Sequence, residues 1–458
     1  MVSPELVGQR IRRLRHVAGI GQTDFAEMVG IASGSVSKLE NGRMPLSQEL
    51  LSSVAASLRC TPDFLSMPLE LAPTTRPWLR AYADAPKRTV DQMVDDCTTA
   101  MEAIVGLKLK LKPDVMPLFT GDPMDQSAIE DFAVDVRVAA GLNDNDVVGN
   151  SVRAAERLGC IVLPTPDELG RHLGISVRVD DRTAVICVGR WTAEGTPVPG
   201  DRQRFTVAHE IGHLALHSGV GAPMTAEEAS LIEKQAHAFA GAFLAPGDAM
   251  LDALAELGGR VTLQTLARIK QRWGVSIKAL VTRFQNLGVI DADHARSLFK
   301  QLSARGWNKS EPVPVGTEHA VWFSLAIEAA TRGYSDHIGT VARRIGLDRS
   351  HFERWLDWSA VADTELADVA HPNFSGRPSG KKADDWHAAD VTLLHRRQTR
   401  LLRPGSHRES RKLELTLCDA CNVRFLDPPY RCPTLTRLRH DRVRPHKAKL
   451  GSQSTKEA

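Results

Sequence analysis

The stretch FTVAHEIGHLALH, from Phe205 to His217, decides the fold of the region around it. It contains the pattern HExxH as His209, Glu210 and His213, and residues four apart on a helix stand one turn apart on the same face. Two imidazoles at that spacing can bind one zinc ion, which lowers the pKa of a water molecule toward neutrality while the intervening glutamate takes its proton. The stretch therefore predicts a buried helix and the machinery for hydrolysing a peptide bond.

The start and the middle of this helix support the prediction. Asp201 can cap the helix after Pro199 and Gly200. Gly212 lies in mid-helix, where glycine costs about 1 kcal/mol against alanine, so we expect another element to approach its backbone closely. A core helix with two hydrogen-bonded histidines is the alternative interpretation.

A second helix is predicted to supply a third ligand. Thr225 and Glu228 fit a capping box, and Pro246 stops the helix after Ala245. Glu233 borders the inner stripe of this helix. Two histidines, one glutamate and a position for water make a catalytic zinc set. An exposed helical charge is the alternative interpretation of Glu233.

His217 competes for the role of third ligand, but the geometry opposes it. His209, His213 and His217 would span about 12 Å along one helix at 1.5 Å per residue. One zinc ion with bonds of about 2 Å cannot take all three. We therefore expect His217 to pack beside the ligands or to hydrogen-bond to one of them from outside.

The two helices together, RFTVAHEIGHLALH and ExxAHAFAGAFLAP, resemble the ImmA/IrrE family of zinc metallopeptidases. The resemblance implies an α+β, zincin-like peptidase domain over residues 121–250. It also implies that His209, His213 and Glu233 bind Zn²⁺ and that Glu210 is the catalytic base. The family usually has Asn or Asp where this chain has His237. A histidine there can support, replace or disturb the contact that this side chain makes with a metal ligand.

The N-terminal residues 5–67 predict an all-α domain of five short helices. Ala26, Gly30 and Val36 place a small residue, a turn glycine and a buried aliphatic residue at the spacing of a helix-turn-helix. The segment resembles the Cro/C1-type (XRE) DNA-binding domain. A helical oligomerisation module is the alternative interpretation.

By this resemblance, Gln22 opens the second helix and touches a DNA phosphate, and the recognition helix runs from about Ser33 to Asn41. Ala32 replaces the usual Ser or Thr cap. Small side chains stand where longer base-reading residues are common, so base readout is expected to be weak or partly indirect, through DNA shape. The exposed positions of the recognition helix are predicted to be Ser33, Gly34, Ser37 and Lys38.

Length and composition fit a chain of several domains. The 458 residues are 42% hydrophobic and 25% charged, so about two to four globular domains are expected. No apolar run reaches the roughly 18 residues of a membrane span, and no signal peptide opens the chain. Seven scattered cysteines do not suggest a disulfide framework. We expect a cytoplasmic protein without a membrane partner.

The charge is unevenly distributed along the chain. Residues 371–458 carry +10, against +3 for the whole chain, which leaves −7 for the remainder. This basic tail predicts disorder, either with an electrostatic affinity for nucleic acid or as a dispensable solvated segment. Cys418, Cys421 and Cys432 could hold a small structural zinc there.

The segments between these regions are less informative. Residues 68–120 are expected to form a linker with one helix, Val90–Leu107. Residues 251–370 are expected to form a helical C-terminal region whose basic residues lie on a solvated surface. Two helices and three strands are predicted before the HExxH helix, at Ala128–Ala140, Asp146–Leu158, Cys160–Leu163, Ile175–Val179 and Ala184–Val188.

A second helix-turn-helix is an open alternative within the C-terminal region. Ala342, Gly346 and Phe352 repeat the spacing of the first motif, and Asp348 can cap the second helix of the pair. Short helix pairs match this template easily, so contact of this segment with DNA stays open.

Together these patterns predict a bacterial transcriptional regulator. It is expected to bind an operator in double-stranded DNA as a homodimer and to carry a zinc peptidase that cleaves a regulatory protein. The alternative is an autoregulating antitoxin or sensor of a toxin–antitoxin pair, whose peptidase-like domain binds a partner without proteolysis. The complete HExxH set favours activity, although Tyr82, Tyr334 and Tyr430 are all far from it in sequence and none is an obvious oxyanion stabiliser.

Overall fold

The structure of the chain is a computed structural model. The structure describes residues 2–73, 87–165, 174–179, 183–192, 195–218, 220, 225–358, 415–418 and 423–426. Two compact units are present, Met1–Gly380 and Lys381–Ala458. The second unit is described only at an antiparallel pair of strands, β4 (Leu415–Cys418) and β5 (Val423–Leu426). The rest of the predicted basic tail, including Cys421 and Cys432, lies outside the described residues.

Five short helices open the first unit, as the sequence predicts. The αL conformation of Gly30, with φ 74°, ends the second helix, and the third begins at Ser33 after Ala32, whose side chain makes no capping hydrogen bond. Apolar residues from the helices, among them Phe25 and Val36, are fully buried. The helices are α1 (Pro4–Val17), α2 (Gln22–Val29), α3 (Ser33–Glu40), α4 (Gln48–Ser57) and α5 (Pro62–Leu65).

The next helix, α6 (Lys87–Gly106), packs into the core. Buried Glu102 on α6 accepts hydrogen bonds from Arg10 Nε at 3.1 Å and from Arg13 Nη2 at 2.5 Å. Arg10 also donates to Leu65 O at 3.0 Å. The helix predicted at Val90–Leu107 is thus present, and its inner face is buried against α1. The bounds of the predicted linker, residues 68–120, stay a prediction. The other predicted domain boundaries stay predictions.

A three-stranded sheet separates two hydrophobic cores. Its strands are β1 (Ile161–Thr165), β2 (Gly174–Val179) and β3 (Thr183–Gly189), in the order β1-β3-β2, with β1 parallel and β2 antiparallel to β3. Successive side chains on a strand point to opposite faces. Val185 and Cys187 therefore join the core formed with α1–α6, whereas Ile186 and Val188 join the core formed with the HExxH helix.

Four helices come next, α7 (Gln126–Ala139), α8 (Ser151–Arg157), α9 (Gly200–Leu216) and α10 (Ala226–Leu244). They form the second core together with the sheet and with the helices that follow α10. Thr225 caps α10 by accepting a hydrogen bond from Glu228 N at 3.1 Å, which is one of the two bonds of the predicted capping box. The predicted cap of α9 is wrong: Pro199 occupies the N-cap, and Asp201 instead binds Lys270 Nζ at 2.6 Å.

Seven helices follow α10 in the described part of the chain. The helices are α11 (Gly247–Glu256), α12 (Leu263–Trp273), α13 (Ile277–Asn286), α14 (Ala292–Ala304), α15 (Trp322–Ala330), α16 (His337–Ile345) and α17 (Arg349–Leu356). Three of the five basic residues on α12 and α13, Arg268, Arg272 and Lys278, are exposed as expected. Lys270 and Arg283 are instead buried in ion pairs with acidic residues. No single helix of the described ranges has the length and apolar composition to cross a membrane; α10 and α11 meet that test only as a pair, bent by 54°.

Helix α17 carries a buried histidine, His351, that titrates unusually. Burial, and to a lesser extent the positive charges of Arg354 and Arg59, lower the pKa of His351 to about 4 against the opposing charges of Asp96 and Asp348. Arg354 Nη2 lies 3.3 Å from His351 Nδ1 and can only donate, so the neutral ring accepts this bond.

Acid should therefore destabilise the fold through His351. Its pKa is lowered on folding from 6.5 to about 4, so its contribution is present above about pH 6.5 and is lost as the pH falls toward about 4. Between pH 7 and pH 5 the free energy of unfolding of the wild type should fall by about 2 kcal/mol more than that of His351→Gln. Urea unfolding at the two pH values measures it. Exposed His294 supplies the control variant, His294→Gln; equal pH dependence in wild type and His351→Gln would contradict the prediction.

Candidate metal centre and DNA-binding surface

Helix α9 brings the two histidines of HExxH together. His209 and His213 stand one turn apart, and their Nε2 atoms are 3.0 Å from each other. His213 is 1% exposed and His209 is partly buried. Burial also lowers the pKa of His213, which favours the neutral imidazole that binds metals.

Helix α10 adds the carboxylate. Glu233 Oε2 lies 3.3 Å from His209 Nε2, and Glu233 Oε1 lies 3.3 Å from His213 Nε2. Burial acts to raise the pKa of Glu233, but its hydrogen bonds to the two histidines outweigh burial and hold this pKa well below its usual range. The three side chains thus form one cluster, with a charged carboxylate at its centre.

Gly212 allows this close packing of α9 and α10. A Cβ atom on Gly212 would lie 2.9 Å from Phe239 Cδ1 and 3.2 Å from Ala236 O, both on α10. The close approach expected from a mid-helix glycine is confirmed. A larger residue would push the helices apart and separate Glu233 from the histidines.

The spacing of the three side chains fits a zinc ion. Ligand atoms at about 2.0–2.1 Å from a tetrahedral zinc are about 3.3 Å apart, and the distances between His209, His213 and Glu233 are 3.0, 3.3 and 3.3 Å. Two neutral imidazoles and one carboxylate are also the donor set of catalytic zinc sites. The residues present therefore fit the metal that the sequence suggests.

A chain of hydrogen bonds orients the ring of His213 through its Nδ1 atom. The amide nitrogen of Gln235 donates to Pro123 O at 3.1 Å, so its Oε1 faces His217 Nε2 at 3.0 Å and accepts its proton. His217 Nδ1 then accepts from His213 Nδ1 at 3.3 Å. When a cation takes the place of the hydrogen bond between His213 and Glu233, this order of donors leaves the lone pair of His213 Nε2 free to bind it. The sequence placed His217 beside the ligands but did not identify Gln235.

Glu210 lies on the sheet side of α9. Its Oε2 accepts a hydrogen bond from Ser176 Oγ on β2 at 2.6 Å. Burial, and to a lesser extent the charge of Glu233, raise the pKa of Glu210 to about 8 against the opposing bond from Ser176. Gly174 leaves room for this carboxylate, since a Cβ there would lie 3.1 Å from Glu210 Oε1. Sequence reasoning missed Ser176. A serine between Ile175 and Val177 in a predicted buried strand could have indicated a polar contact with the site.

His237 stands next to the cluster on α10, one turn after Glu233. Its Nδ1 lies 2.9 Å from Glu233 O, and its ring centroid lies 4.4 Å from that of His209. His209, Glu233 and His237 can each offer one ligand atom within 4.8 Å of the others. The structure therefore brings His237 to the same place as His209 and Glu233.

The predicted DNA-reading residues lie on one exposed surface of the N-terminal helices. Gln22 begins α2, and its Nε2 donates to Glu40 Oε2 at 3.1 Å. Gly34 faces open space, since a Cβ there would meet nothing within 4 Å. The four exposed positions on α3 are those predicted, Ser33, Gly34, Ser37 and Lys38. Their contacts with DNA stay predictions.

Helices α16 and α17 repeat the local geometry of α2 and α3. Gly346 ends α16 in the αL conformation, and Asp348 caps α17 by accepting from Ser350 N at 3.0 Å, as expected for the second helix pair. The position that matches Lys38 is Arg354, which donates to Asp96 of α6 at 2.5 Å. This part of α17 is therefore engaged with the core. DNA contact by this pair has no further support.

Comparison with known families assigns both regions. The family model for a helix-turn-helix matches residues 11–65, and the model for an IrrE N-terminal-like domain matches residues 155–285. No curated protein and no solved structure matched the chain. The chain is thus a fusion of an XRE-type helix-turn-helix domain with a domain of the ImmA/IrrE family. It is a DNA-binding regulator with a peptidase-like domain. The IrrE-like match extends to residue 285, beyond the predicted limit at residue 250.

Proposed function

We propose that this regulator carries a zinc-dependent endopeptidase that cleaves a regulatory protein. The observation that carries the proposal is the meeting of His209, His213 and Glu233 at 3.0–3.3 Å beside buried Glu210. The IrrE-like match over residues 155–285 includes all four side chains.

Each residue of the cluster has a separate task in this proposal. His209, His213 and Glu233 hold zinc, which when bound supplies Lewis acidity and lowers the pKa of water. A bound cation would favour the ionised form of Glu210 against the burial that raises its pKa to about 8. In that form Glu210 takes a proton from the attacking water and returns it to the nitrogen of the leaving amine. Ser176 fixes the orientation of the Glu210 carboxylate through its hydrogen bond.

A cleavage assay tests the proposal. Wild-type chain and Glu210→Gln are incubated with proteins encoded beside it, and new N-termini are identified by mass spectrometry. We expect cleaved products only with the wild type. Equal products from both forms would reject the enzyme. If the wild-type chain holds a full complement of zinc and binds the same protein without cutting it, the result would instead support the binding-only antitoxin or sensor.

The DNA-binding half of the proposal rests on α3. A recognition helix with small side chains reads few bases, so a single module should bind weakly. We propose that a homodimer binds an inverted repeat in its own promoter, with half-sites about 10 bp apart. In this arrangement Gln22 and Lys38 contact phosphates, and Ser33, Gly34 and Ser37 face the bases.

Lys38→Ala should weaken operator binding with little change in sequence preference. Removing one phosphate contact per module should reduce the slope of log K against log salt by about 0.9 per module. Fluorescence anisotropy of labelled operator at several salt concentrations measures both quantities. Lys300→Ala, on exposed α14, removes the same charge away from the helix-turn-helix and should behave as wild type. An unchanged slope for Lys38→Ala would place the DNA surface elsewhere.

A further inference from the structure

His237 occupies a position from which it can reach the metal. It follows Glu233 by four residues on α10, so the two side chains share one face of the helix. Its ring meets the ring of His209 edge to face, with centroids 4.4 Å apart. A ligand atom of His237 lies within 4.8 Å of those of His209 and Glu233.

The hydrogen bond of His237 fixes which nitrogen can bind a cation. Its Nδ1 lies 2.9 Å from the backbone carbonyl oxygen of Glu233, and a carbonyl oxygen only accepts. Nδ1 therefore carries the proton, and in the neutral ring the lone pair is on Nε2. Proteins commonly orient a metal-binding histidine in this way, with a hydrogen bond from the ring nitrogen that does not bind the metal to a backbone carbonyl oxygen.

Burial distinguishes His237 from the other histidines of the cluster. His213 is 1% exposed and is held by the chain through His217 and Gln235, whereas His237 is exposed to solvent. An exposed side chain loses little packing when it rotates. A ligand from His237 is thus the one that an incoming substrate can displace.

We infer that His237 is a fourth protein ligand of the metal, which closes the centre when no substrate is bound. The inference rests on the proposed zinc site. Three protein ligands leave a position for water, and four close the coordination of zinc. With zinc bound, the resting centre would hold three imidazoles and one carboxylate, and the imidazole of His237 would have to leave before a substrate could be hydrolysed.

X-ray absorption spectroscopy at the zinc edge tests the inference on the full-length chain. Cys418, Cys421 and Cys432 are replaced by Ser in every sample, so that the tail contributes no metal. Scattering from imidazole rings should report three histidines in the otherwise wild-type protein and two in His237→Gln. Competition with a chelator should show zinc affinity lowered at least about tenfold by His237→Gln. The control His294→Gln, on α14, should leave both readings unchanged.

The outcomes separate this inference from the proposed function. One bound zinc with two imidazoles in the otherwise wild-type chain overturns the role of His237 and leaves the peptidase proposal standing. No bound zinc overturns both. Three imidazoles that persist in a folded His237→Gln variant, checked by circular dichroism, assign the third ring to another histidine and reject His237.

Discussion

Glu210→Gln is expected to lower the rate of peptide-bond cleavage by about 10²- to 10⁴-fold, the usual contribution of a general base. The amide keeps the size of the side chain, and its oxygen can still accept the hydrogen bond from Ser176 Oγ. It cannot take a proton from water at neutral pH. Zinc content and unfolding midpoint should therefore match the wild type, so that the loss is confined to the reaction rate.

Glu227→Gln is the matched control for this prediction, because Glu227 is exposed in the first turn of α10. It makes the same chemical change without touching the cluster and should cleave at the wild-type rate. A Glu210→Gln chain that still cleaves at that rate contradicts the assignment of the base. If the variant is inactive but regulation in cells is unchanged, proteolysis is not the working function, and the binding-only alternative gains support.

His209→Ala is expected to reduce zinc from about one ion per chain to almost none. His209 belongs both to the set with His213 and to the set with His237, and Glu233 is common to both. Loss of His209 therefore leaves neither set of metal ligands complete. We expect the affinity to fall by more than the roughly 10- to 100-fold typical of residues that only support a ligand.

Metal analysis after dialysis, in the background lacking Cys418, Cys421 and Cys432, measures this effect. His294→Ala is the control and should retain zinc, because His294 lies on exposed α14. A His209→Ala chain with full zinc content would reject the centre altogether, since no tail cysteine remains to account for the metal.

Local patterns in the sequence predicted the elements that depend on neighbouring residues. The turn at Gly30, the helix start at Ser33 and the capping of α10 by Thr225 follow from local backbone and hydrogen-bonding preferences. The meeting of Glu233 with the HExxH helix was also predictable, because the resemblance to a known family supplied the pairing that periodicity alone does not.

Ion pairs and hydrogen bonds between residues far apart in the chain could not be predicted from the sequence. A lysine on an amphipathic helix usually faces water, so nothing local indicated that Lys270 pairs with Asp201, or that Arg283 pairs with Glu130. Gln235 was missed for the same reason, since its role depends on Pro123, which is 112 residues away. Buried charges are identified only when their partners are known.

The buried ion pairs between α1 and α6 limit how far the N-terminal helices can be exchanged as a separate domain. A chimera cut after α5 would take Arg10 and Arg13 with it and leave Glu102 as a buried, unpaired carboxylate in the remaining protein. Losing the partners of such a charge typically costs about 3–5 kcal/mol. The apolar face of α6 would also lose its cover. A piece grafted onto another regulator therefore has to include α6, and the recipient has to replace the contacts that α6 makes with the sheet and with Arg354. We expect DNA specificity in this architecture to change through substitutions on the surface of α3 rather than by exchange of the N-terminal helices.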